Sequence, residues 1–150
     1  MTPMDQLEDH HSPPTRALDW ILLGMSDDID RIDTIKERFA LATLFFATNG
    51  DLSWINHEGW LLLESSTCSW YGVTCSGHDG SIRRLDLSMN GLGSTIPAEI
   101  ALLNLESLGL FSNNLVGTIP TQLYRMSDLC TFTHYSYEYQ GTSPQHAHSR

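Results

Sequence analysis

Leu85-Asp-Leu-Ser-Met-Asn-Gly-Leu-Gly-Ser-Thr-Ile-Pro97 returns 23 residues later as Leu108-Gly-Leu-Phe-Ser-Asn-Asn-Leu-Val-Gly-Thr-Ile-Pro120. A fixed period of this length marks stacked, repeated units, each burying an apolar edge against the next. Leu85 and Leu87 alternate around Asp86, which predicts a short strand with its leucines turned inward. Asn90 and Asn113 stand where the chain must leave that strand, and an amide there can satisfy backbone groups of the turn and of the neighbouring unit. Leu92, Leu115, Ile96 and Ile119 continue the core. Pro97 and Pro120 then forbid a continuing ladder. Ile100 and Leu103, matched by Leu123 and Met126, carry helical spacing and predict a short helical or 3₁₀ turn.

The frame L-x-x-L-x-L-x-x-N-x-L-x-G-x-I-P is met at every position by residues 105–120. Residues 82–97 also meet it, with Ile82 leading and Ser94 standing in the glycine position. This frame resembles the plant-type leucine-rich repeats of receptor-like proteins, receptor-like kinases and polygalacturonase-inhibiting proteins. Ser94 reads as a mild departure, since serine adopts most turn conformations that do not require positive φ.

Just upstream, Cys68-Ser-Trp-Tyr-Gly-Val-Thr-Cys75 reads C-x-W-x-G-V-x-C. It resembles the second half of the N-terminal cap of the same ectodomains. The resemblance implies a Cys68–Cys75 disulfide and packing of Trp70 on the first coil. A solenoid needs its first apolar end covered, and a stapled hairpin with a buried indole does that. Closing so small a loop stabilises by about 2–3 kcal/mol in the chain-entropy picture. A zinc site using Cys68, Cys75 and His78 lacks a fourth ligand. Residues 30–49 predict an amphipathic helix with Ile32, Ile35, Phe39, Ala42 and Phe45 or Phe46 on one stripe, Asp30 or Asp33 at its start, and Asn49-Gly50 as a left-handed stop. Trp54 and Trp60-Leu-Leu-Leu63 supply apolar material between this helix and the hairpin.

The fold class expected is therefore α/β: the start of a leucine-rich repeat solenoid, with a parallel β-sheet on its concave face and a helical, disulfide-stapled N-terminal cap. The expected organisation is an acidic, disordered or weakly ordered lead-in over 1–29, the cap over 30–80, two plant-type repeats over 81–128, and a degenerate repeat or disordered tail over 129–150. Within the lead-in, residues 17–25 read as an extra helical turn or two. The lead-in also resembles that of algal leucine-rich repeat proteins with a membrane span upstream. A third repeat at the same period would need apolar residues where Thr131 and Thr133 stand; a shift of one brings Leu129 and Phe132 into the frame. Cys130 reads as an unpaired, buried thiol. A cap with two clean repeats is fewer than the three that usually sustain such a stack, so marginal stability is expected of the chain by itself.

The 18 acidic and 8 basic side chains give a net charge of −10. That balance argues against nucleic-acid binding and against attachment to anionic lipid, both of which want Lys and Arg. No glycine-rich phosphate loop, H-R-D or D-F-G occurs, so neither catalysis nor a cofactor or metal is expected. The residues between the inward leucines form the candidate binding face: Arg83, Arg84, Asp86, Ser88 and Met89 on the first repeat, and Glu106, Ser107, Gly109, Phe111 and Ser112 on the second. Parallel strands lie about 4.8 Å apart, so Arg83 is expected beside Glu106 as an ion-pair rung and Ser88 beside Phe111.

The resemblance implies a non-catalytic module that recognises a protein or peptide, or a glycan, as the N-terminal part of a receptor-like ectodomain in signalling or defence. Membrane attachment is expected only through a segment outside this sequence. The alternatives are a fragment or structural module without activity of its own, or part of a receptor kinase whose catalytic domain lies elsewhere. The disulfide favours the extracellular face of a cell. The lack of a signal peptide starting at Met1 leaves an intracellular alternative.

Overall fold

The computed structural model describes residues 11–24 and 32–133 of the chain. Helix α1 (Pro13–Gly24) starts at Ser12, whose Oγ accepts the N–H of Thr15 at 3.4 Å. Pro13 and Pro14 occupy the first turn, where no intrahelical N–H is needed. The helix buries Pro14, Thr15, Ala17, Trp20 and Ile21. The helical turns expected over 17–25 are present as far as Gly24 and begin earlier, at Pro13, so a disordered or weak lead-in is incorrect for 13–24, where Trp20 makes a core contact. Its ring lies 5.8 Å from that of Trp70, and its Nε1 donates to the carbonyl of Leu61 at 2.9 Å. Residues 1–10 lie outside the described part.

Helix α2 (Ile32–Ala47) packs against α1 and also against the 3₁₀ turn Ala98–Leu102. Flanked in this way, its second half is buried all round, from Ala40 to Phe45, rather than along one stripe. Ile32, assigned to the apolar stripe, is 64% exposed. Asp30 is outside the described residues. The helix ends where Asn49 turns left-handed at φ 61°, and the short helix α3 (Gly50–Ser53) follows.

Strands β1 (Val73–Cys75), β2 (Ile82–Asp86), β4 (Ser107–Gly109) and β6 (Thr131–Thr133) form one sheet in that order. β1 runs antiparallel to β2; the other pairings are parallel. A second, two-stranded parallel sheet joins β3 (Gly93–Ser94) to β5 (Asn114–Leu115) on the return side of each coil. The 3₁₀ turns Ala98–Leu102 and Thr121–Arg125 follow Pro97 and Pro120 directly.

β6 decides the third repeat. Leu85 faces Leu108, a step of 23, while Leu108 faces Phe132, a step of 24. One extra residue in the connection puts Phe132, not a threonine, at the inward position. Residues 131–133 therefore add a further parallel strand to the sheet, and 134–150 are outside the described residues. Cys130 is exposed, not buried, because the same shift turns it away from the core.

A single apolar cluster runs from Ala17 in α1 to Leu123 in the last 3₁₀ turn. Within it, Phe45, Trp54, Trp60, Trp70 and Trp20 make a continuous chain of ring contacts at 4.8–5.8 Å. Each indole N–H finds an acceptor: Trp54 the carbonyl of Thr48, Trp60 that of Tyr71, Trp70 the Ser65 hydroxyl and Trp20 that of Leu61. Buried aromatic mass of this kind is retained at low polar cost only when those N–H groups are paired.

Candidate functional site: the face of the four-stranded sheet

Leu85, Leu87, Leu108 and Leu110 are buried, so the residues between them point away from the core. Cross-strand register sorts these into rows. Thr74, Arg84, Ser107 and Thr131 stand side by side across all four strands. Asp86, Gly109 and Thr133 form the next row. Ser88 and Phe111, one period apart, come next, and the N–H of Met89 donates to the carbonyl of Phe111 at 2.8 Å. Met89 is 67% and Phe111 44% exposed, giving the face an apolar end.

The far end of each strand is fixed by an asparagine. Asn113 Oδ1 accepts the N–H groups of Asn90 and Leu92, both at 3.0 Å. Its Nδ2 donates to the carbonyls of Leu87 and Leu110 at 2.8 and 3.0 Å. Asn90 repeats the device one coil earlier: Oδ1 accepts the N–H of Asn56 at 2.7 Å and Nδ2 donates to the carbonyl of Asn56 at 2.8 Å. The same amide chemistry thus joins coil to coil and the first coil to the segment after α3. It also holds Met89 and Ser112 in matching left-handed conformations, at φ 56° and 52°.

Two expected features of the face are corrected. Arg83 does not pair with Glu106; its guanidinium goes to Asp79, at 3.3 Å, because the hairpin loop after β1 brings that carboxylate to the strand's start. Hydrogen bonds from the Ser81 hydroxyl and N–H hold the Asp79 carboxyl down at about 2, with Ser76 and Arg83 adding to the effect. Gly109 is buried and offers no side chain. The carboxylate of Asp86 lies over it, and a Cβ there would stand 2.6 Å from Oδ1. Arg84, Asp86, Glu106 and Ser112 are exposed, while Ser88 and Ser107 are half-buried.

Thr74 and Thr131 were not among the sequence candidates. The alternation Val73-Thr74-Cys75 would have signalled the first. The second was hidden by the one-residue step. Cys68 and Cys75 form a disulfide that ties the 3₁₀ turn Thr67–Ser69 to β1 at the edge of this sheet. Between them Trp70 is buried, its ring 5.1 Å from that of Trp60 and 5.8 Å from that of Trp20. Among the described residues no cluster of His, Cys, Asp and Glu could hold a metal. No helix among them is long and apolar enough to cross a membrane.

Parallel strands recurring once per coil, inward leucines and an asparagine at each strand exit define an α/β repeat protein of the leucine-rich class. The Leucine Rich Repeat family model matches residues 81–103 and 104–126. Three relatives from Arabidopsis thaliana carry the resemblance further. The LRR receptor-like serine/threonine-protein kinase GSO2 is 36% identical over 130 residues, covering 71% of this chain and 10% of that one. The receptor-like protein kinase HSL1 is 33% identical over 75 residues, covering 49% and 8%. Phytosulfokine receptor 1 is 33% identical over 94 residues, covering 44% and 9%. Among solved structures, a plant ice-binding protein shares the fold with a TM-score of 0.54 at 24% identity, over 63% of this chain and 30% of that chain. The chain is a plant-type leucine-rich repeat protein. It spans about a tenth of the length of the curated relatives it matches, 8–10%.

Proposed function

We propose that this chain is a protein- or peptide-recognition module, the N-terminal part of a leucine-rich repeat ectodomain, with α1, α2 and the disulfide hairpin as the cap of the solenoid. In this reading residues 13–80 form the cap, 81–128 the two regular repeats, and 129–133 open a third. The leucine-rich repeat is a non-catalytic binding fold, and the relatives that match this chain include receptor-like kinases. The observation that carries the reading is the sheet face itself: an exposed Met89–Phe111 pair beside rows of polar side chains, on strands held rigid by the asparagine ladder. An exposed aromatic on a fixed surface is the usual anchor of a protein interface. The disulfide supports an oxidising compartment, hence the extracellular side of a membrane.

The test is photo-crosslinking with benzoylphenylalanine installed at Phe111 or, as a control, at Leu52 on the outer surface. The reading expects capture of a partner in a one-to-one adduct from position 111 and none from position 52. Equal capture at both positions, or capture from 52 alone, contradicts it.

A further inference from the structure

We infer that the first coil's face seats an acidic side chain of an extended polypeptide on Arg84, with a second, apolar side chain about four residues along that segment resting on Met89 and Phe111. The inference builds on the recognition reading above and adds the chemistry of the ligand.

Arginine is the starting point. Arg16 is engaged by Asp51 and Arg83 by Asp79. Arg38 donates to the carbonyls of Leu63 and Ser65. Arg84 is exposed and makes no side-chain hydrogen bond or ion pair among the described residues. Register sets Thr74 and Ser107 on either side of it, with Thr131 one strand further on. Side chains facing each other across neighbouring strands stand about 5 Å apart on one surface. A planar guanidinium that can bind a carboxylate with two parallel hydrogen bonds therefore stands between hydroxyls able to donate to the same oxygens.

The nearest acid on the same strand face, Asp86, is turned elsewhere. Its Oδ1 accepts the N–H of Ser88 at 3.0 Å, and the carboxylate leans over Gly109 on the next strand. Asp86 and the exposed Glu106 still flank the row, on a chain of net charge −10. They oppose a polyanion such as nucleic acid or an anionic lipid surface, which needs a broad basic field. One carboxylate on an otherwise uncharged segment meets far less of that opposition than a polyanion, because the repulsion scales with the ligand's charge. Four residues separate Arg84 from Ser88, the lateral neighbour of Phe111, so the basic and apolar ends lie about 13 Å apart. An extended segment with its acid and its apolar residue about four positions apart spans that distance.

The experiment is selection of a random heptapeptide display library on the full chain, repeated on the Arg84→Glu, Arg84→Gln and Phe111→Ala variants. Both positions are exposed, so each variant keeps the fold. The inference expects peptides with Asp or Glu three to five positions from an apolar residue. The best of them should bind at least about ten-fold more weakly to Arg84→Gln, the loss of one charge-assisted contact. Arg84→Glu should select Lys or Arg in place of the acid. Peptides that need Phe111 but show no acid preference, and ignore Arg84→Glu, overturn the inference and leave the recognition reading standing. Recovery of no peptide that depends on either residue overturns both.

Discussion

At Ser94 the backbone holds φ at 60°, while Gly117, its counterpart one coil later, sits at 79°. An L-residue in the left-handed region costs roughly 1–2 kcal/mol, and glycine gives back part of that advantage through its freer unfolded chain. Ser94→Gly should therefore stabilise the protein by about 0.5–1 kcal/mol, read from the midpoint of urea unfolding; a lower midpoint contradicts the account. Sequence alone made this serine look mild because nothing in the frame states the sign of φ. Asn113 is the opposite case. Its place in the frame already announced a turn, and the structure shows one amide serving two N–H groups and two carbonyls. Removing it in Asn113→Ala leaves several buried backbone groups without partners and should cost about 2–4 kcal/mol. Glu37 adds a pH dependence. Its Oε1 accepts the N–H of Ile82 at 3.1 Å, yet burial, with a smaller contribution from Asp33 and Asp79, raises its pKa above 4.5 against that hydrogen bond. A raised acid binds its proton more tightly in the folded chain, so its contribution is greatest below pH 4.5 and declines as pH rises through the folded value. Glu37→Gln keeps the acceptor and loses the charge. Its unfolding free energy relative to the wild type should climb as pH rises from 4.5, then level off; a difference that does not vary with pH rules out this role.

Elements show where periodicity informs and where it fails. The two regular coils were legible because 23-residue spacing fixes every inward side chain at once. β6 was not, since one inserted residue moves Phe132 into the leucine position and sends Thr131 and Thr133 to the face. Helix α1 was underread for a different reason. Trp20 anchors its buried side, and the partners of that ring, Trp70 and the carbonyl of Leu61, come more than forty residues later. What the resemblance of the C-x-W-x-G-V-x-C hairpin implied is present: its cysteines are bonded and its tryptophan is buried, while Val73-Thr-Cys75 pairs with β2. The bridge closes a loop with a sequence separation of 7, so a Cys68→Ser/Cys75→Ser double variant should lose about 2–3 kcal/mol. The face was half legible. Arg84, Met89 and Phe111 followed from the frame, but the pairing of Arg83 with Asp79 depended on a loop that no frame position describes.

The molecule as a whole shares one core from α1 to the last 3₁₀ turn, with no break between helices and coils. The expectation of marginal stability rested on two repeats and a cap; α1 and β6 enlarge that core at both ends. Helices and coils should therefore unfold together. Far-ultraviolet circular dichroism and tryptophan fluorescence should give coincident transitions, whereas a fluorescence change preceding loss of helix would show the aromatic chain to be a separate unit. The central claim is that this rigid assembly presents the sheet face for recognition. Its most direct test is an amide chemical-shift footprint of the chain with its crosslinked or selected partner bound. The account predicts shifts concentrated at Thr74, Arg84, Ser88, Met89, Ser107, Phe111 and Thr131. A footprint on α1 or on the 3₁₀ turns Ala98–Leu102 and Thr121–Arg125, with the sheet face unchanged, would contradict it.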